Sequence, residues 1–144
     1  MLMGEFHHNI DEKGRLVIPT KYRMELGESF VLTRGLEKCL YAYSQTEWNN
    51  LVTKLNELPF NKKDARTFNR AFFSGATVCE FDKSGRINIT SPLAKYADLQ
   101  KSCVIIGVND RLEIWDEDLF NNFLNETNKN MEQIAENLFE NVAL

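Results

Sequence analysis

A nine-residue stretch, Asp11-Glu12-Lys13-Gly14-Arg15-Leu16-Val17-Ile18-Pro19, returns 71 positions later as Asp82-Lys83-Ser84-Gly85-Arg86-Ile87-Asn88-Ile89-Thr90. A repeat at that spacing means two copies of one structural unit, so the chain is constrained to fold as a pair. Each copy reads as a turn, a short strand and a helix. The Asp11 or Asp82 carboxylate can bond the backbone of its own turn, and Gly14 or Gly85 can take a positive φ at no steric cost. Arg15 and Arg86 stand where the strand begins, with Lys13 and Lys83 in the same turns. Leu16 and Ile18, like Ile87 and Ile89, alternate as a half-buried strand does. A lone copy reads as a hairpin turn with a solvated arginine; two copies in register argue for a shared role.

The pairing extends beyond the turns. Ser44-Gln45-Thr46-Glu47 matches a capping box, and the helix after it carries Trp48, Leu51, Val52 and Leu55 on one face. Trp48, Leu51 and Val52 find counterparts 72 positions on in Phe120, Phe123 and Leu124. Strands are expected at Phe6–Ile10, Leu16–Ile18, Phe30–Thr33 and Cys39–Tyr43, and again at Thr77–Phe81, Ile87–Ile89, Val104–Val108 and Leu112–Trp115. Pro19 is expected to open a short helix at its first position, and Ser91 to cap one with Pro92 following. Between the copies, Ala65, Phe68 and Phe72 form the buried face of a connecting helix. Lys62, Lys63, Arg66 and Arg70 stripe it with positive charge, either as a solvated face or as a phosphate-facing patch. The last segment, Lys129–Leu144, is expected to be an amphipathic helix: Met131, Ile134, Ala135, Leu138 and Phe139 line one side, and Glu132, Glu136 and Glu140 run along the other.

The 144 residues fit one compact domain or two small units sharing a core. No apolar run approaches the roughly 20 residues that cross a bilayer, and Met1–Phe6 lacks the form of a secretory signal, so a cytoplasmic protein is expected. Cys39, Cys79 and Cys103 are odd in number and unpaired in spacing, which argues for buried small hydrophobes rather than disulfides or a metal site. His7 and His8 are adjacent and would face opposite ways in a strand, so they suit one metal poorly. The net charge of −4 is unevenly spread. Residues 113–144 carry eight acids against Lys129 alone, which leaves residues 1–112 at +3. A mildly basic body with an acidic tail is compatible with binding nucleic acid.

Several motifs together resemble the MraZ family of bacterial regulators, built from two SpoVT/AbrB-type repeats. They are Met3-Gly4-Glu5, Asp11-x-x-Gly14-Arg15, Ile18-Pro19, Lys63-Asp64-Ala65-Arg66, Phe73-Ser74-Gly75-Ala76, Asp82-x-x-Gly85-Arg86 and Leu112-Glu113-Ile114-Trp115, so the match runs from about Met1 to Phe123. The resemblance implies an α+β, mainly β, architecture: two tandem SpoVT/AbrB-like repeats forming a pseudo-dimeric swapped-hairpin β-barrel with flanking helices. The corresponding division is repeat one at 5–47, connecting helices at 48–75, repeat two at 76–119 and a helical tail at 120–144. The resemblance further implies a homo-oligomeric ring that binds repeated promoter sites ahead of the division and cell-wall gene cluster. In the family the motif arginine is the DNA contact, which maps onto Arg15 and Arg86. Thr90 stands where the first copy has Pro19, so equal roles for the two copies do not follow.

The primary expectation is therefore a sequence-specific transcriptional repressor, cytoplasmic and nucleoid-associated, whose partners are double-stranded DNA and further copies of itself. Arg15, Arg86, Lys13 and Lys83 would carry the contact, with no cofactor, no metal, no membrane and no small-molecule substrate. A ring-forming scaffold with incidental DNA binding is the alternative, motivated by the amphipathic tail. An enzyme is not expected: no nucleophile–base constellation, phosphate-cradling loop or metal-ligand spacing is present.

Overall fold

Alternation sets the architecture. Phe30, Leu32, Leu40 and Ala42 point one way from a first hairpin, and Cys103, Ile105, Leu112 and Ile114 point the same way from a second. The computed structural model, which describes residues 1–140, joins the two hairpins into a single antiparallel sheet. In chain order the elements are β1 (Leu2–Asn9), β2 (Arg15–Val17), α1 (Thr20–Leu26), β3 (Ser29–Arg34), β4 (Leu40–Ser44), α2 (Gln45–Asn56), α3 (Lys63–Ser74), β5 (Thr77–Glu80), β6 (Arg86–Asn88), α4 (Ser91–Tyr96), β7 (Ser102–Asn109), β8 (Arg111–Asp116) and α5 (Glu117–Leu138). The six-stranded sheet runs β1-β7-β8-β4-β3-β5, and β2 and β6 form a separate ribbon.

The order shows an exchange. The β3/β4 hairpin meets the β7/β8 hairpin with Tyr41 opposite Glu113. The outer places are taken across the repeat: β1 of the first copy pairs with β7 of the second, and β5 of the second with β3 of the first. The ribbon pairs Arg15 with Asn88, Leu16 with Ile87 and Val17 with Arg86. Its central pair joins equivalent residues of the two copies, so a pseudo-twofold axis passes between Leu16 and Ile87 and again between Tyr41 and Glu113. Neither copy can complete its sheet alone, and the expected α+β pseudo-dimer with swapped strands is the observed fold.

Two cores follow from the two faces of the sheet. On one face the ribbon, α1 and α4 bury Leu16, Ile87, Tyr22, Leu26, Leu93 and Ala97 against Phe30, Leu32, Ile105 and Ile114. On the other, α2, α3 and α5 bury Leu55, Phe72 and Phe120 against Tyr41, Tyr43, Val104 and Trp115. All three cysteines are buried and free. Burial pushes the Cys79 and Cys103 thiols up to about 11 and Cys39 higher still, which keeps them protonated and inert.

Three local expectations are corrected. Pro19 is the N-cap of α1 rather than its first helical residue. In the second copy Thr90 holds that same N-cap place, with Ser91 first and Pro92 second in α4. The substitution of Thr for Pro is therefore neutral in geometry, because an N-cap residue adopts extended angles that both side chains accept. Third, the tail is not a separate helix. The stretch from Glu117 to Leu138 contains no glycine or proline, so α5 runs unbroken for 22 residues. Only its first turns meet the body. The end of the expected tail helix, residues 141–144, lies outside the described residues.

Leu16 and Ile87 are 0% and 1% exposed at the centre of the ribbon. Leu16→Ala should lower the free energy of unfolding by about 3 kcal/mol. Urea denaturation should show one cooperative transition in both proteins, since the two copies share every core layer.

Candidate nucleic-acid interface

Each arginine turn is built by one carboxylate. Asp11 Oδ1 accepts from the backbone N–H of Lys13 at 2.9 Å and of Arg15 at 2.9 Å, while Oδ2 accepts from Arg15 Nε at 2.7 Å. The second copy repeats the pattern: Asp82 Oδ1 takes the N–H of Ser84 and Arg86 at 2.9 Å each, and Oδ2 takes Arg86 Nε at 2.8 Å. The Gly14 and Gly85 N–H groups close the loops onto the Asp11 and Asp82 carbonyls at 3.0 Å. Both glycines have positive φ, +81° and +74°. A Cβ on Gly14 would sit 2.6 Å from the Ile89 carbonyl oxygen, so space and φ both demand glycine there, whereas at Gly85, where a Cβ would meet only the movable Arg23 guanidinium, the positive φ is what favours glycine.

The turns also hold each other. Ile18 N–H donates to the Gly85 carbonyl at 3.0 Å, and Ile89 N–H donates to the Gly14 carbonyl at 2.7 Å. Strand alternation then sorts the ribbon. Leu16 and Ile87 face the core, and Arg15, Val17, Arg86 and Asn88 share the outward face. The two arginines occupy diagonal positions on this face, which by strand geometry places them roughly 7–8 Å apart, somewhat less at Cβ. Their side chains are 35% and 31% exposed. Each Nε is fixed by its aspartate, and among the described residues no protein group engages the terminal amino groups of either arginine. Two oriented, half-exposed guanidinium groups thus stand side by side on a rigid surface, free to fork onto a planar acceptor pair.

Lys13 and Lys83 are exposed, as expected, but they are not equivalents. Lys13 aligns with Ser84 and Lys83 with Glu12, so the copies place their turn cations one residue apart. Two further residues belong to this surface. Asn88 is exposed directly across from Arg15, and the alternation Arg86-Ile87-Asn88 already carried that signal. Arg23 reaches from α1 over the Gly85 turn, where its amino group donates to Thr20 Oγ1 at 2.6 Å and its buried Nε finds no partner. The corresponding place in α4 is Ala94, so this cation serves one turn only; nothing in the primary sequence signals that reach.

His7 and His8 face opposite sides of β1, as expected. His7 lies between two carboxylates, 2.7 Å from Glu5 and 2.9 Å from Glu117, and chiefly the Glu5 hydrogen bond raises its pKa. Among the described residues no cluster of three or more His, Cys, Asp or Glu is arranged to hold a metal ion.

Comparison with known proteins gives concordant matches. Residues 1–71 and again 72–142 match the family described as "MraZ protein, putative antitoxin-like". A curated protein of Ligilactobacillus salivarius (strain UCC118), named "Transcriptional regulator MraZ", is 55% identical over 140 residues, spanning 97% of this chain and 98% of that protein.

The backbone N–H of the arginine in each turn is the largest influence holding the Asp11 and Asp82 carboxyls below the ordinary carboxylate range. A lowered folded-state value favours the folded protein at pH above the unfolded-state pKa of about 3.9, and that contribution disappears as pH falls through the lowered value. Asp11→Asn/Asp82→Asn should therefore melt below the wild type at pH 7. The gap between the two melting curves should close as pH is taken below about 4.

Proposed function

The chain belongs to the MraZ family, and on that premise we propose that it is a DNA-binding transcriptional regulator reading promoter sequence with the outward face of the β2/β6 ribbon. One observation carries this reading: Arg15 and Arg86 share one face of one ribbon, with their Nε atoms locked and their amino groups outward. A two-stranded ribbon is one of the shapes the major groove of B-DNA admits. An arginine forks to the O6 and N7 of guanine, an asparagine such as Asn88 pairs with adenine, and an apolar side chain such as Val17 meets a thymine methyl. Lys13, Lys83 and Arg23 lie beside that face as phosphate contacts, which set position without reading sequence. The family is one of regulators and not of enzymes.

One ribbon offers few contacts, so single-site affinity is expected to be weak. We place the chain in a homo-oligomeric ring whose ribbons meet repeated promoter boxes together. Avidity would then add roughly two to four orders of magnitude. The resemblance set out above supports that arrangement, repression as the sign of control, the division and cell-wall cluster as the target, and a cytoplasmic, nucleoid-associated protein. Among the described residues no helix is long and apolar enough to cross a membrane. The scaffold reading draws on one feature, the exposed apolar side of distal α5. A promoter duplex outcompeting random duplex in gel shifts decides for regulation; equal affinity decides for the scaffold.

Arg15→Ala should cost about 1–3 kcal/mol per engaged ribbon, tenfold or more in promoter affinity, with unchanged circular dichroism. Lys13→Ala should weaken binding to every sequence alike and reduce the salt slope by about one. Arg15→Ala binding the promoter like the wild type would remove the ribbon from the reading.

A further inference from the structure

Two helices carry matching patterns with opposite charge. In α3, Ala65, Phe68 and Phe72 form the apolar face, and Arg66, Arg70 and Phe73 follow one flank at i, i+4 and i+7. In distal α5, Met131, Ile134 and Leu138 have the same spacing, and Glu132, Glu136 and Phe139 run along the same flank. Each of these six α3 residues has thus a counterpart 66 positions on, with each arginine replaced by a glutamate. The two arginines and two glutamates are exposed. Among the described residues none of the four takes part in an ion pair.

Their settings differ. The α3 apolar face is already seated on the sheet, whereas Met131, Ile134 and Leu138 are 59%, 41% and 71% exposed. An amphipathic helix of this length does not hold its shape in water without covering its apolar side. Among the described residues no ion pair or side-chain hydrogen bond joins distal α5 to α3 of its own chain. Beside the α3 flank, Phe60 is 85% and Phe73 38% exposed, an apolar rim next to two cations without a carboxylate partner, of which Arg66 donates to the Phe60 carbonyl at 3.0 Å.

We infer that the distal half of α5 docks along the Arg66/Arg70/Phe73 flank of α3 in a second copy of this chain. The inference rests on the reading that the protein works as an assembly of copies. It names the contact that builds the assembly. The apolar side of α5 covers Phe60 and Phe73, and Glu132 and Glu136 meet Arg66 and Arg70. The surfaces joined are different, so a contact made in one direction is head-to-tail, and it closes into a ring where its rotation permits. Docked protein fits the α3 stripe better than DNA does, because α3 lies on the face of the sheet opposite the arginine ribbon.

Charge reversal in the full-length chain tests this, with subunit number read by native mass spectrometry in the absence of DNA. Glu132→Lys/Glu136→Lys and Arg66→Glu/Arg70→Glu should each raise the dissociation concentration tenfold or more, and the chain carrying all four substitutions should recover the wild-type subunit number. That recovery also separates a broken contact from a broken fold. Either reversed variant keeping the wild-type subunit number overturns the contact while leaving the oligomeric reading intact; so does an Arg66→Glu/Arg70→Glu variant that keeps it and only binds DNA more weakly. A wild-type chain that is monomeric overturns the oligomeric reading itself.

Discussion

Two backbone hydrogen bonds tie each turn to the other copy: Ile18 N–H to the Gly85 carbonyl, and Ile89 N–H to the Gly14 carbonyl. Everything on the outward surface depends on them. They require the two glycines at positive φ, they set β2 against β6 in the Leu16–Ile87 register, and that register puts Arg15 and Arg86 on one face. A slip of one strand by one residue would turn its arginine into the core and its apolar residue outward. Burial of Leu16 and Ile87 resists that slip, so the hydrophobic core and the orientation of the guanidinium groups are one constraint seen from two sides.

The aspartates add a second layer of control. An arginine on an exposed strand would sample many rotamers, and ordering it on contact would cost rotamer entropy. Here Asp11 and Asp82 hold each Nε beforehand and leave only the amino groups to bind. The same pairing neutralises part of the charge, so the surface is weakly rather than strongly basic. That is consistent with the net charge of −4 and with the proposal that several ribbons act together rather than one.

Much of this was legible in the sequence, for identifiable reasons. The repeat offset, the Asp–Gly–Arg turns and the alternation of Leu16 with Ile18 are local signals, and local signals survive folding. The partner of each strand was not legible, because whether β1 pairs within its own copy or across to β7 depends on the whole sheet; there the resemblance supplied the answer. Helix starts were misplaced by one residue at Pro19 and at Ser91, since proline tolerates both the N-cap and the next positions. Arg23 was missed because its importance lies in reaching a turn 62 residues away, at Gly85. Asn88 could have been found, since it shares the parity of Arg86.

In the proposed function the paired turns form a single surface that meets DNA. A reconstruction by electron cryomicroscopy of the assembled protein on a promoter duplex tests it most directly. It should show the β2/β6 ribbon in the major groove, with Arg15 and Arg86 of one chain at base edges or adjoining phosphates. A duplex lying instead along α3 on the far face of the sheet, with both arginines in solvent, would contradict it.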